Sequence, residues 1–159
     1  MIIDTLITDR AQTDVDRVNE LAAKWLGGTI TNTEKAEWLA GLKGAYNYAD
    51  MNRVGTAVEY LAMLLESEGK TVSVTAKKNW TMADVPTKAQ EAAYLGDINA
   101  LRALVTVTAV ATPTTIDRMT FETANNIELI LKAIYTAIQR ETAGFVFSGA
   151  GICGAEGVL

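Results

Sequence analysis

The chain has 159 residues, of which 49% are hydrophobic and 21% charged, so it is long and apolar enough to bury the core of one ordinary domain. It has no histidine and a single cysteine, which excludes Ser-His-Asp and Cys-His catalysis, imidazole metal ligands and an intrachain disulfide. The formal charge of −5 argues against binding to nucleic acid, because that binding depends on clustered Lys and Arg.

The first predicted helix runs from about Ala11 to Trp25. Its apolar residues recur at helical spacing, and either Asp9 or Thr13 is expected to cap it. The pair Gly27-Gly28 should end it, because glycine adopts the backbone conformation that terminates a helix.

The second predicted helix begins at the capping box Thr31-x-x-Glu34, in which each side chain can accept a hydrogen bond from the other residue's backbone N–H. It should be short and stop near Gly41 or Gly44.

The third helix has the clearest pattern and is predicted from Asp50 to Ser67, with Gly69 as its C-cap and Asn47 or Asp50 as its N-cap. Apolar residues recur at alternating spacings of three and four, which places one face of the helix in the core. That stripe consists of Met51, Val54, Val58, Leu61 and Leu65.

The fourth helix is predicted to begin after Pro86, where Thr87 and Gln90 form a second capping box. Gly96 should weaken its middle by about 1 kcal/mol relative to alanine.

The fifth helix is predicted to start at Thr120 and to carry an apolar stripe as far as Ile138. Gly144 lies just beyond its expected end.

Residues 71–76 alternate polar and apolar side chains, as a half-buried strand does, and residues 105–111 alternate similarly. These segments could pair as a small ribbon, or 105–111 could be an extended linker before Pro113. We therefore predict a mainly α fold of about five helices, with a small β element, over residues 1–142. Residues 143–159 are expected to be a separate glycine-rich tail with short strands at Phe145 to Ser148.

The tail contains Gly149-Ala150-Gly151-Ile152-Cys153-Gly154, which matches the spacing of a dinucleotide-binding fingerprint. That motif must open a helix within a βαβ unit, and no such unit follows, so we interpret the glycines as tight turns. Cys153 has no apparent group that would lower its thiol pKa. We predict no cofactor, no metal and no catalytic residue.

The N-terminal residues do not combine a basic region with a long apolar run, and no uninterrupted run reaches membrane-spanning length. We expect neither a secretory signal nor a membrane span, and synthesis in a bacterial cytoplasm.

Aromatic side chains are the main candidates for an interface, because they dominate the energetics of protein–protein contacts. Each could equally be a core residue. The candidate interface residues are Trp25, Trp38, Tyr46, Tyr48, Trp80, Phe145 and Phe147.

A series of short motifs extends over most of the chain. They are Leu6-Ile7-Thr8-Asp9-Arg10, Asp14-Val15-Asp16-Arg17-Val18, Glu34-Lys35-Ala36-Glu37-Trp38-Leu39, Lys43-Gly44-Ala45-Tyr46-Asn47, Asp50-Met51-Asn52-Arg53-Val54-Gly55, Val58-Glu59-Tyr60-Leu61, Trp80, Asp84, Pro86-Thr87, Tyr94-Leu95, Ile98, Leu101-Arg102, Phe121-Glu122, Ala124-Asn125 and Ile127-Glu128. In these motifs the chain resembles small tail-associated structural proteins, and domains of tail-fibre or baseplate proteins, encoded by phages and prophages of Firmicutes.

The resemblance implies a virion protein of the tail or baseplate that acts by homo-oligomerisation and by docking to neighbouring tail proteins, and it carries over no catalytic residue. The glycine-rich tail could add a strand to a partner's sheet. Within the motifs, Gly55 would permit close helix approach and Arg53 could reach a carboxylate.

Two alternatives remain. One is a module at a fibre tip that binds a host surface receptor or a carbohydrate, for which Trp25, Trp38 and Trp80 would have to be exposed. The other is an enzyme that uses carboxylates alone, which needs two carboxyl groups facing each other across a cleft.

Overall fold

The computed structural model describes residues 1–108, 110–117 and 119–149, the side chains of 145–149 excepted. A short 3-10 helix at Ile2–Thr5 precedes α1 (Gln12–Leu26), α2 (Asn32–Ala40), α3 (Tyr48–Ser67), α4 (Lys88–Arg102) and α5 (Phe121–Gly149). The predicted mainly helical fold is confirmed. Among these residues, no helix combines the length and the apolar character that crossing a membrane requires.

Local capping determines where most of the helices begin. The Thr31 hydroxyl accepts from the Glu34 N–H at 3.2 Å, and the Glu34 carboxylate accepts from the Thr31 N–H at 2.9 Å. Thr87 and Gln90 form the same reciprocal pair at the start of α4. Both predicted capping boxes are therefore present, because each depends only on residues three positions apart.

Of the remaining N-termini, that of α3 has a predicted cap residue and that of α1 does not. The Asn47 side chain accepts from the Ala49 N–H at 2.8 Å, so Asn47, one of the two residues predicted to cap α3, is its N-cap. At α1 neither Asp9 nor Thr13 is the cap. The N-cap residue is Ala11, whose N–H donates to the Asp14 carboxylate at 2.8 Å.

Helix α3 lies at the centre of the fold and packs against α4, α5 and the 3-10 helix. Its whole predicted stripe is buried, and so are the facing stripes of α4 and α5. The core of these helices includes Met51, Val54, Val58, Leu61, Leu65, Tyr94, Ile98, Leu101, Ile127, Leu131, Ile134 and Ile138.

Helices α1 and α2 form a pair beside this core, with Leu21 as their fully buried residue. Ion pairs connect them: the Arg17 guanidinium donates to both oxygens of Glu37, at 2.9 and 2.6 Å, and Lys24 pairs with Glu34. Ion pairs at the surface thus hold α1 and α2 together, whereas apolar packing holds the central helices together.

The predicted β ribbon does not form, since the described residues contain no strand. Residues 71–80 instead run over α3 and α4 as a segment without regular secondary structure, and backbone groups of Thr75 and Trp80 bond to helix side chains. Asp97 accepts from the Thr75 N–H at 3.0 Å, and Asn52 both accepts from the Trp80 N–H at 2.8 Å and donates to the Trp80 carbonyl at 2.9 Å. The alternation that suggested a strand reflects burial of one side of this segment against helices.

The second ribbon segment, 105–111, is not a strand in its described part either. Val105 is buried and Val107 packs against the core, while the Arg102 guanidinium donates to the Val110 carbonyl at 2.7 Å. This geometry agrees with the alternative prediction, in which 105–111 is a linker before Pro113.

The predicted strand at Phe145 to Ser148 is also wrong, because α5 continues through Gly144 to Gly149. A single glycine inside a helix costs only about 1 kcal/mol, so Gly144 alone does not end it. Residues 150–159, which include Cys153 and the remaining glycines of the predicted turns, lie outside the described residues.

Candidate functional site

Four charged side chains from three separate parts of the chain meet inside the fold. Glu128 of α5 is completely buried and accepts four hydrogen bonds. Its Oε1 accepts from Arg10 Nη2 at 2.7 Å and Arg53 Nη2 at 2.8 Å, and its Oε2 accepts from the Ile7 N–H at 2.6 Å and Arg53 Nε at 3.1 Å. Asp50 completes the cluster by pairing with both arginines.

Two positive and two negative charges balance in this ionic cluster, and that balance permits its burial. Burial by itself would lower the pKa of Arg53, but its hydrogen bonds with Glu128 and Asp50 outweigh burial and raise that pKa. Because each carboxylate of the cluster is paired with both arginines, the cluster holds three parts of the chain in fixed positions relative to one another.

Arg10 attaches the N-terminal segment to the rest of the fold through its backbone as well as its side chain. Its backbone N–H and carbonyl bond to the side-chain amide of Asn125, at 3.0 and 2.9 Å. Its guanidinium also donates to the Lys43 carbonyl at 3.1 Å and lies 5.5 Å from the ring centre of Tyr46. One side chain therefore joins the N-terminal segment, the loop before α3, and α5.

Tyr46 connects this cluster to the core, because its hydroxyl is hydrogen-bonded to that of Tyr94. Burial raises the pKa of both hydroxyls, so both stay protonated at neutral pH. The pair holds the loop before α3 against α4.

An open cleft of about 580 Å³ lies on the other side of Tyr46. The C-terminal part of α2, the loop that follows it, the start of α3 and residues 80–86 form its walls, with Ile116 and Met119 at one side. Asp84 is the only charged side chain among its described lining residues, which include Trp38, Leu39, Leu42, Tyr46, Tyr48, Met51, Trp80, Met82 and Pro86.

The rim of this cleft exposes large apolar side chains to solvent. Leu39 is 77% exposed, Met82 87%, and Val85, next to the lining residues Asp84 and Pro86, 84%. Side chains of this size on one surface are characteristic of sites that contact another molecule.

The structure brings four of the candidate interface residues together at this cleft, namely Trp38, Tyr46, Tyr48 and Trp80. Tyr48 is 40% exposed, whereas Trp80 is only 4% exposed and is a core residue of the monomer. The buried Trp80 indole N–H has no hydrogen-bond partner among the described residues, and Lys77 Nζ lies 3.7 Å from the centre of its ring.

The remaining candidates lie elsewhere. Trp25 is 44% exposed and stacks on Trp38, with ring centres 6.2 Å apart, at the junction of α1 and α2. Phe145 and Phe147 are on the last turns of α5, and their side chains are outside the described part.

Sequence reasoning missed the ionic cluster, although its residues belong to motifs that carry the resemblance. The available signal was a charged residue on an otherwise apolar face, since Glu128 lies four positions after Ala124 and Asp50 four positions before Val54. A lone charge on such a face predicts a buried partner, but only the fold identifies Arg10 and Arg53 as the partners.

Within the described residues, no group of three or more acidic or cysteine side chains is arranged to hold a metal ion. Comparison of the chain with protein-family models, curated proteins and solved structures finds no match.

Proposed function

We propose that this chain is a structural protein of a phage or prophage tail or baseplate, which resides in the virion and acts by self-association and by docking to neighbouring tail proteins. The resemblance in the Leu6 to Arg10, Asp50 to Gly55 and Ile127-Glu128 motifs supports this proposal. Those motifs supply all four members of the ionic cluster, so the likeness falls on residues that hold the fold together.

The observation that carries the proposal is the apolar rim of the cleft. Leu39 and Met82 each leave more than three quarters of their surface in water, at a cleft whose described lining includes a single charged residue. Covering such side chains with a partner contributes about 25 cal/mol per Å² of apolar surface, which favours a protein–protein contact. Docking through a strand of the tail is not part of the proposal, because residues 143–149 are helical.

The test is to recover the chain from assembled particles. We expect the tagged chain to co-sediment with tails or virions induced from the strain that encodes it, and the purified chain to bind a protein encoded by a flanking tail gene. The double variant Leu39→Asp/Met82→Asp should be incorporated into particles less well than the unmodified chain, while Leu26→Asp, at an exposed leucine outside the cleft, should be incorporated equally well. Absence from particles together with no binding to any flanking tail protein would contradict the proposal.

The stacked Trp25–Trp38 pair favours a second candidate function, which is binding of a host surface carbohydrate. Partly exposed indole rings are the platforms on which such ligands lie, although the third tryptophan, Trp80, is buried. Titration of cell-wall polysaccharide should then change the tryptophan fluorescence of the chain and of its Trp80→Phe variant, but not that of Trp25→Ala. Equal responses from Trp25→Ala and the unmodified chain would exclude this function for the pair.

A further inference from the structure

The cleft requires an occupant of a particular chemistry. It is open, and its rim side chains Leu39 and Met82 are exposed. Asp84, the one charged side chain among its described lining residues, is already bonded to the Thr81 N–H and paired with Lys77. A charged partner would therefore lose its hydration against these residues without gaining a counter-ion from them. The fitting occupant is an uncharged, apolar segment.

The C-terminal end of α5 has that composition. Residues 142–155 contain no charged residue, and the helix carries the sequence Phe145-Val146-Phe147 within its last two turns. At Glu141 and Thr142, α5 bonds to Lys70 and Glu68, which directly follow the end of α3. Lys70 also donates to the Leu104 carbonyl just past α4, so α3 and α4 both end at this level.

Seven further residues of α5 follow Thr142 and extend the helix by about 10 Å. The two long helices that pack against α5, namely α3 and α4, both end before these residues. The end of α5 thus projects beyond its packing partners, where a second molecule can reach it.

The cleft of the same chain is out of reach of this segment. The cleft lies at the start of α3 and next to Met119, just before α5 begins, whereas Phe145 is 24 residues after the first residue of α5. That interval corresponds to about 36 Å of continuous helix, which cannot fold back on itself. Only another copy can bring its α5 end to this cleft.

We propose that the end of α5, residues 143–149, of one copy docks in the apolar cleft of the next copy, which gives a head-to-tail homo-oligomer. This inference rests on the proposed function and specifies its self-association. The contact is heterologous, because the two partners use different surfaces, and such contacts close into rings or extend into filaments.

A complementation experiment tests the head-to-tail contact. The cleft variant is Leu39→Asp/Met82→Asp, and the helix-end variant is Phe145→Asp/Phe147→Asp, with the chain truncated after Thr142 as a second form of the latter. We expect each variant alone to self-associate at least about tenfold more weakly than the unmodified chain in analytical ultracentrifugation. An equimolar mixture should form dimers and nothing larger, because such a pair has one intact cleft and one intact helix end in contact.

Circular dichroism of each variant and the Leu26→Asp control establish that the fold and the other surfaces are unchanged. The inference is overturned if the unmodified chain does not self-associate, if either variant associates as the unmodified chain does, or if the mixture stays monomeric. The second result would indicate that two identical surfaces pair. A chain that is recovered in particles but fails this experiment keeps its proposed function and loses the head-to-tail contact.

Discussion

At the scale of single residues, the most consequential feature is the ionic cluster of Arg10, Asp50, Arg53 and Glu128. Its members are 40 or more positions apart, except for Asp50 and Arg53, and they meet where the N-terminal segment crosses α3 and α5. Burying charges costs several kcal/mol each, so the cluster is stable only with all its partners present. The cluster consequently makes the position of the N-terminal segment specific.

Removal of one partner should be severely destabilising. Glu128→Gln keeps the shape of the side chain but leaves Arg10 and Arg53 with Asp50 as their only carboxylate. We expect the free energy of unfolding to fall by about 3–5 kcal/mol, measured by urea denaturation.

The control for this substitution is Glu122→Gln, at an exposed position of the same helix, which should change stability by no more than about 0.5 kcal/mol. Equal effects of the two substitutions would contradict the structural role of the cluster.

Glu91 of α4 is a second buried carboxylate that joins two parts of the chain. Its carboxylate accepts from the Thr115 hydroxyl, pairs with Lys88 and accepts from the Ile116 N–H at 2.6 Å. These contacts lower its pKa to about 2 from the usual 4.5, and the hydrogen bond from Thr115 has the largest effect. The contacts fasten residues 115–116 to α4, beside one side of the cleft.

The lowered pKa of Glu91 predicts a pH dependence. The stabilisation is complete above about pH 4.5 and is lost as the pH falls towards 2, because the unfolded chain takes up a proton in that range and the folded chain does not. The difference in unfolding free energy between the unmodified chain and Glu91→Gln should therefore shrink between these pH values. A difference that is constant over this range would show that Glu91 is not held as described.

At the scale of elements, close backbone contacts decide where glycine is required. A Cβ at Gly55 of α3 would lie 2.4 Å from the carbonyl oxygen of Lys77, so this glycine admits the segment 71–80 against the helix. The prediction that Gly55 permits close helix approach named the correct helix but the wrong partner. Gly44 has the same function before α3, where a Cβ would lie 2.2 Å from the Asp14 carbonyl oxygen.

Gly55 and Gly96 make a matched pair for testing this role. Gly55→Ala must displace the backbone at Lys77 and should destabilise the fold by about 1–3 kcal/mol. Gly96 is exposed within α4, with nothing within 4 Å of an added Cβ, so Gly96→Ala should stabilise the fold by about 0.5–1 kcal/mol. Thermal denaturation should thus shift in opposite directions for the two variants, and shifts of the same sign would contradict the close approach at Gly55.

At the scale of the whole molecule, two kinds of packing coexist. The central helices α3, α4 and α5 bury continuous apolar stripes, whereas the α1–α2 pair is fastened by ion pairs such as Arg17–Glu37 and by the stacked tryptophans. The apolar cleft lies where these two parts meet, between α2 and the start of α3. Its formation depends on how α2 is placed on the core, which no local pattern describes.

Helix positions could be predicted well, because their determinants are local. Capping boxes depend on residues three apart, as at Thr31 and Thr87, and the α3 stripe on a repeat of three and four. The predicted strands at 71–76 and 145–148 were wrong, because the alternation at 71–76 reports only that one side of a segment is buried and the apolar run at 145–148 is equally compatible with a helix. A strand also needs a partner, and side chains of α3 and α4 took that place for 71–80.

By itself the sequence determined the five helices, the buried stripes of α3 and α5, and the absence of histidine and paired cysteine chemistry, since these follow from composition and from neighbours within one or two helical turns. Only the tertiary structure decided that Arg10 meets Glu128, that Gly55 receives Lys77, and that Leu39 and Met82 border one apolar cleft. The physical reason is distance along the chain: burial of charge and closure of a cleft depend on segments up to 121 positions apart, whose meeting is set by packing of the whole molecule.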